Sequence, residues 1–218
     1  MLKAAWWLFW KDVSLELRGR ELLLPAGVFG LIIAMLYGFA FSGAVRELRP
    51  IFPGLLWLGI FFSSFLAVGR SFGVEPEANR QLLMAPIDRG AIFLAKLLLN
   101  VLLTLVLAAV LTPTLSVLLG VPLPQSTGQL LGTLGLGVVG FAAAGSAMGA
   151  LSAQTRLREL LLPALLLPFT SPLLLGAVSA TRALYSGSAA GMWLWLMAAF
   201  DGIFILVPVL LFEYLTEV

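Results

Sequence analysis

Long apolar runs alternate with short polar breaks along the whole chain. Each run approaches the ~20 residues that a helix needs to cross a ~30 Å hydrocarbon core. The pattern predicts six spans, roughly Leu22–Ser42, Gly54–Gly69, Leu97–Gly120, Leu130–Ala153, Leu160–Ala180 and Met192–Phe212. The breaks are a charged turn with Arg46, Glu47 and Arg49, the stretch 70–96, the turn-forming PLPQSTG at 122–128, QTRLRE at 154–159 and a loop at 181–191. Ahead of the first span, residues 2–20 read as an amphipathic helix. Leu2, Ala5, Trp6, Phe9, Trp10, Val13 and Leu17 share one face, and Lys3, Trp7, Lys11, Ser14 and Arg18 another. Tryptophans beside basic residues suit the headgroup layer, so this helix is predicted to lie flat as an anchor or as a brace for a partner. Glu16 and Arg20 stand four apart in the favourable acid-first order.

The runs show no polar–apolar alternation, which excludes a membrane barrel. In lipid every backbone N–H and C=O must be satisfied internally. The fold class is therefore all-α: a polytopic membrane protein with six transmembrane helices and an N-terminal interfacial helix, forming a single transmembrane domain over 1–218. Composition agrees, with 61% hydrophobic residues and a mean hydropathy of +1.05. Asp12, Glu16, Arg18 and Arg20 interrupt any apolar core of a cleavable signal near the start.

Two spans have unusual content. The fourth carries Gly128, Gly132, Gly135, Gly137, Gly140, Gly145 and Gly149. Small residues at such spacing let helix backbones approach closely, within one bundle or across a dimer seam. The fifth carries Pro163, Pro168 and Pro172, which predicts a kink or break near Pro168–Pro172, either static or part of a moving or re-entrant element.

Basic residues in short loops set orientation. With the N-terminus inside, Lys3, Lys11, Arg18, Arg20, Arg70, Arg80, Arg89, Lys96, Arg156 and Arg158 face the cytoplasm, and Arg46, Arg49 and Arg182 face out. Both termini and the 70–96 stretch are then cytoplasmic. That stretch is the longest polar interruption in a chain that is only 11% charged. A charge at mid-bilayer costs at least ~2.5–3.5 kcal/mol, so the stretch must meet water or a partner protein. It reads as a docking loop or as a solvated connector.

The chain has no Cys and no His. Disulfides and thiolate metal sites are excluded. The commonest general base and the usual proximal haem ligand are missing too. No GxxxxGK[ST] phosphate loop occurs, so ATP would have to bind elsewhere. No metal or catalytic set is expected, nor any nucleic-acid partner. Asp201 is the one carboxylate placed well inside a span, about a third of the way in from the outer side. It suits proton relay, pairing with a substrate cation, a hydrogen bond to a neighbouring helix, or outward reach to water.

LLMAPIDRGAIFLAKLLLN at 82–100 resembles the segment after the second span of ABC-2-type permeases, with Glu75 and Glu77 before paired Leu82 and Leu83, then Pro86, and Lys96 opening the third span. More narrowly, FPGLLWLGIFFSSFLAVGRSF at 52–72, LLMAPIDRGAIFLAK at 82–96 and RLRELLLPALLLPFTSPLLLGAV at 156–178 are similar to the CcmB family of cytochrome c maturation permeases, also called haem exporter protein B. The family pattern has a longer acidic–basic–acidic cluster where this chain has Gly73, Val74, Pro76 and Glu77.

The resemblance implies ATP-driven work with an ABC ATPase subunit (CcmA-like) and CcmC-like and CcmD-like membrane subunits. It further implies two copies of this chain per complex in the bacterial inner membrane, with release of a haem-loaded chaperone. Haem would be a substrate of the complex, ATP would sit on the partner, and no cofactor would be bound directly. ATPase coupling would fall to Glu75, Glu77, Arg80, Leu82, Leu83, Pro86, Asp88, Arg89 and Lys96, with Arg156, Arg158 and Glu159 in a second cytoplasmic loop. An ATP-independent transporter or channel and a scaffold subunit are the competing readings.

Overall fold

The computed structural model describes residues 2–41, 48–71, 89–152 and 158–214. Within them the chain forms seven α-helices and no strand: α1 (Leu2–Gly19), α2 (Leu23–Ala40), α3 (Phe52–Ser71), α4 (Arg89–Leu118), α5 (Thr127–Ser152), α6 (Arg158–Ser186) and α7 (Gly191–Tyr214). Helices α2 to α7 are the six long and apolar enough to cross a membrane. The chain is a polytopic all-α membrane protein.

Side-chain contacts set the directions. Gly27 faces Leu107 and Gly38 faces Leu118, so α2 and α4 run parallel. Phe52 meets Tyr185 at 5.7 Å and Trp57 donates to Thr181 Oγ1 at 2.9 Å, so α3 and α6 run antiparallel. Phe61 packs edge-on to Phe141 at 4.8 Å and Val68 meets Gly145, which sets α3 parallel to α5. Gly176 lies against Met197 and Phe169 against Phe204, so α6 and α7 are antiparallel. The six spans form an up-and-down bundle.

Helix α5 is the centre of the bundle, with 72% of its span buried, while α2 is peripheral with 17%. The glycine-rich sequence of α5 explains its place. At Gly137 the Trp57 ring lies where a β-carbon would sit, and at Gly140 the Asp201 carboxylate does so. Gly128, Gly132 and Gly135, toward the α5 N-terminus, face open space. Close packing is thus confined to the second half of the glycine series.

Two helix ends need a left-handed residue. Gly120 (φ 64°) and Gly187 (φ 69°) supply it without steric cost. Val121 N–H then returns to Ser116 O and Ser188 N–H to Ala183 O, closing the last turns of α4 and α6.

Three predicted boundaries change. The third span starts at Arg89 rather than Leu97, because Ala91, Phe93 and Ala95 are buried against protein and extend the helix. The loop predicted at 181–191 shrinks to 187–190, because Ala180, Thr181, Ala183 and Leu184 are core residues of α6. Finally, of the kink or break expected near Pro168–Pro172, the break does not occur: α6 is continuous helix through all three prolines. Pro172 cannot donate to Pro168 O, and the Ser171 hydroxyl takes that carbonyl at 2.7 Å. Thr170 Oγ1 bonds Leu166 O at 2.7 Å one turn earlier. The Ser171 hydroxyl thereby satisfies the carbonyl that Pro172 strands.

Candidate functional site

Helix α1 docks through a narrower stripe than its sequence suggests. Ala5, Asp12 and Val13 are its buried residues. Phe9 is half-buried beside them and packs, with Val13, against a cluster that includes Leu22, Leu99 and Leu103. Trp6, Trp10, Leu2 and Leu17, assigned to the same apolar face, remain exposed like Trp7. Trp6, Phe9 and Trp10 pack ring to ring, with centroids 5.5–5.9 Å apart. The docked stripe therefore carries a carboxylate, and the exposed aromatic face suits the membrane interface.

Asp12 is 7% exposed and reaches across to α4. Its Oδ2 lies 3.0 Å from Lys96 Nζ, and its Oδ1 lies 3.2 Å from Lys11 Nζ. Lys96 is 8% exposed. Lys96, expected at the end of a polar stretch that serves as docking loop or solvated connector, instead sits seven residues into α4, about 10 Å from the helix start. A buried lysine persists only when paired and hydrogen-bonded, and Asp12 supplies that partner from the interfacial helix.

Glu16, one turn beyond Asp12, ties α1 to a second span. Its carboxylate accepts Leu23 N–H at 2.7 Å and Leu22 N–H at 3.1 and 3.2 Å. Leu22 occupies the N-cap position of α2 and offers no side-chain cap of its own. The first turn of a helix leaves four N–H groups unmet. Pro25 removes one of these, and Glu16 takes two more while placing negative charge at the positive end of the helix dipole. The i,i+4 contact with Arg20 expected from the sequence is replaced by this cap. Arg20 itself turns the chain at φ 54°.

Asp12, Glu16, Leu22, Ser71, Lys96 and Leu99 line one cleft of about 510 Å³ between α1 and the adjoining ends of α2, α3 and α4. The arrangement ties three helices together: the buried pair holds α1 to α4, and the Glu16 cap holds α1 to the first turn of α2. Sequence reasoning missed Asp12 and Glu16 as contacts. The available signal was two carboxylates four apart on the Ala5–Phe9 stripe, and a lone lysine on a span.

Of the residues expected to couple, Glu75, Glu77, Arg80, Leu82, Leu83, Pro86 and Asp88 lie outside the described residues, as does Arg156. Arg89 opens α4, Arg158 opens α6 and Glu159 follows it; of these three only the helical backbone is described. Asp201 is 5% exposed. It lies ten residues, or ~15 Å, into the 24-residue helix α7. A second polar contact inside the bundle joins Asn100 of α4 to Ser146 of α5 at 2.9 Å.

A family model described as CcmB protein matches residues 3–213. The chain belongs to the CcmB family. Among curated relatives, this CcmB-family chain is 30% identical over 178 residues to Heme exporter protein B of Rhodobacter capsulatus, with 79% of each protein covered. It is 31% identical over 98 residues to Heme exporter protein B of Escherichia coli K12, covering 42% of this chain. The match spans less than half of that Escherichia coli protein, 44%.

Proposed function

We propose that this CcmB-family chain is the membrane-spanning subunit of an ATP-driven complex of cytochrome c maturation in the bacterial inner membrane. The whole of 1–218 acts as one transmembrane unit. Two copies work with a CcmA-like ABC ATPase, which carries ATP, and with CcmC-like and CcmD-like membrane subunits. The complex exports haem or releases its haem-loaded chaperone. Family membership and the names of the relatives support the haem connection. The bias of basic residues supports α1 and both termini on the cytoplasmic side.

The observation that carries the coupling role is the Asp12–Lys96 pair. The segment with Glu75, Glu77, Arg80, Leu82, Leu83, Pro86 and Asp88 leads directly into Arg89 at the start of α4. An ATPase gripping that segment pulls on α4, and the buried pair recruits α1 to the same motion. Arg156, Arg158 and Glu159 offer a second contact at the same end of the bundle. A motor switches the bundle only by binding two of its conformations with different affinity. With no His or Cys, only Met or Tyr remain as haem-iron ligands. Transmission of motion to a haem-handling partner therefore fits the chain better than a tight haem site of its own.

Replacing Asp88 and Arg89 together by alanine is expected to reduce co-purification of the ATPase subunit. Undiminished recovery of the ATPase overturns docking at this segment. Stimulation of ATP hydrolysis on co-expression separates a working permease from a scaffold, and haem absorbance of the intact complex reports passage.

A further inference from the structure

Asp201 is buried within a candidate membrane span, and both its carboxylate oxygens lack a hydrogen-bond partner among the described residues. Its pocket is shaped to it. Gly140 of α5 gives up the space that Oδ1 occupies, and Leu173 of α6 packs against the same glycine. Among the described residues, the helices packed against α7 offer no counter-charge at this level. The sequence of α5 contains no ionisable residue. On α6, Arg182 is exposed and lies nine residues beyond Leu173, ~13 Å along the axis; Arg158 and Glu159 are further off at the opposite end. On α4, Lys96 is committed to Asp12, about 15 Å from the level of Gly140 when the Asn100–Ser146 contact sets the register.

We propose that Asp201 is a proton-binding site built into the α5–α7 seam. In the packing seen here the side chain is the neutral acid, and its proton leaves when α7 parts from α5 at Gly140 and water enters. The bond broken is the carboxyl O–H, and the proton passes to that water as hydronium. The penalty for an unpartnered charge inside a span shifts the closed form toward the neutral acid by at least about a hundredfold relative to the same side chain in water. The sign follows from linkage: the closed form holds one more proton than the open form. The seam is therefore tightened as pH falls and loosened as pH rises. The inference stands apart from the coupling reading, because it needs neither ATP nor a partner subunit.

The full chain in lipid vesicles tests it. Infrared spectra are expected to show a protonated carboxylic C=O stretch at pH 5 that is lost in Asp201→Asn. In parallel, a single reporter cysteine at half-buried Ala198 of this cysteine-free chain is labelled by a water-soluble thiol reagent. After division by the intrinsic rate of a free thiol at each pH, which rises with the thiolate fraction, labelling is expected to increase about tenfold or more with pH in the parent and to stay low and flat in Asp201→Asn, whose amide mimics the neutral acid. A pH 5 spectrum of the parent with no carboxylic band beyond that of Asp201→Asn overturns the proposal, as does a labelling profile with the same pH dependence in both proteins. Should the asparagine variant fail to insert, Asp201→Glu provides the assignment by shifting the band, and an unshifted band refutes it.

Discussion

Replacing Lys96 by methionine removes the ammonium from the buried pair while keeping the aliphatic stem. Removing one partner of a buried ion pair costs about 3–5 kcal/mol, because the remaining charge stays desolvated. Asp12 keeps a second cation here: Lys11 lies 3.2 Å from its other oxygen, with a side chain 35% exposed. The expected cost therefore falls at the lower end, about 3 kcal/mol. That is about a hundredfold in the equilibrium between docked and undocked α1, at ~1.4 kcal/mol per factor of ten. Hydrogen exchange of the full chain in vesicles reads this directly. Amides from Leu8 to Leu15 should lose about two decades of protection, while those of α5 are unchanged. The double variant Asp12→Leu with Lys96→Met removes both charges and should recover most of the protection, since apolar replacement of a buried pair is often neutral or stabilising. A change under about fivefold in the single variant is the size expected of an exposed pair, and it refutes the buried joint.

Glu16→Ala should cost about 0.5–2 kcal/mol at the start of α2, the range for losing a helix N-cap, with faster exchange confined to the Leu22 and Leu23 amides. Glu16→Gln should recover part of that loss. Gly137→Val drives two methyl groups into the Trp57 ring and should lower stability by about 1–3 kcal/mol, measured by thermal unfolding in detergent; full stability would mean that α3 and α5 do not pack as described. Ser171→Ala leaves the Pro168 carbonyl without its hydroxyl donor, for a loss of about 1 kcal/mol. Trp57→Phe should cost a similar amount by removing the bond to Thr181, and an unaltered melting temperature would count against that contact.

The bundle was legible because lipid imposes one rule on every span: enough apolar residues in a row, whatever they later touch. Phe52–Ser71 and Thr127–Ser152 differ from their predicted limits by only a few residues. The errors arose where protein rather than lipid decides. Ala91, Phe93 and Ala95 look like the end of a polar stretch, yet they bury against neighbouring helices and pull the start of α4 outward. Ser171 neutralises a proline effect that counting prolines alone cannot foresee. At the site, Lys96 was legible as a residue of interest. Its partner was not, because hydropathy treats Asp12 as a surface charge and cannot see which stripe of α1 turns inward. Residues 72–88, where most of the expected coupling positions fall, lie outside what the structure describes.

The ionic joint also imposes an order on biosynthesis. Lys96 follows Asp12 by 84 residues, an interval of about 4–17 s at a synthesis rate of ~5–20 residues per second. Throughout that delay the first helix has neither α4 nor the later spans to lean on, and its tryptophan face is its means of staying at the bilayer. The N-terminal segment therefore completes its seating late, after the third span has entered the membrane. A truncated product ending before Lys96 would carry a correctly inserted first span and a loosely moored leading helix.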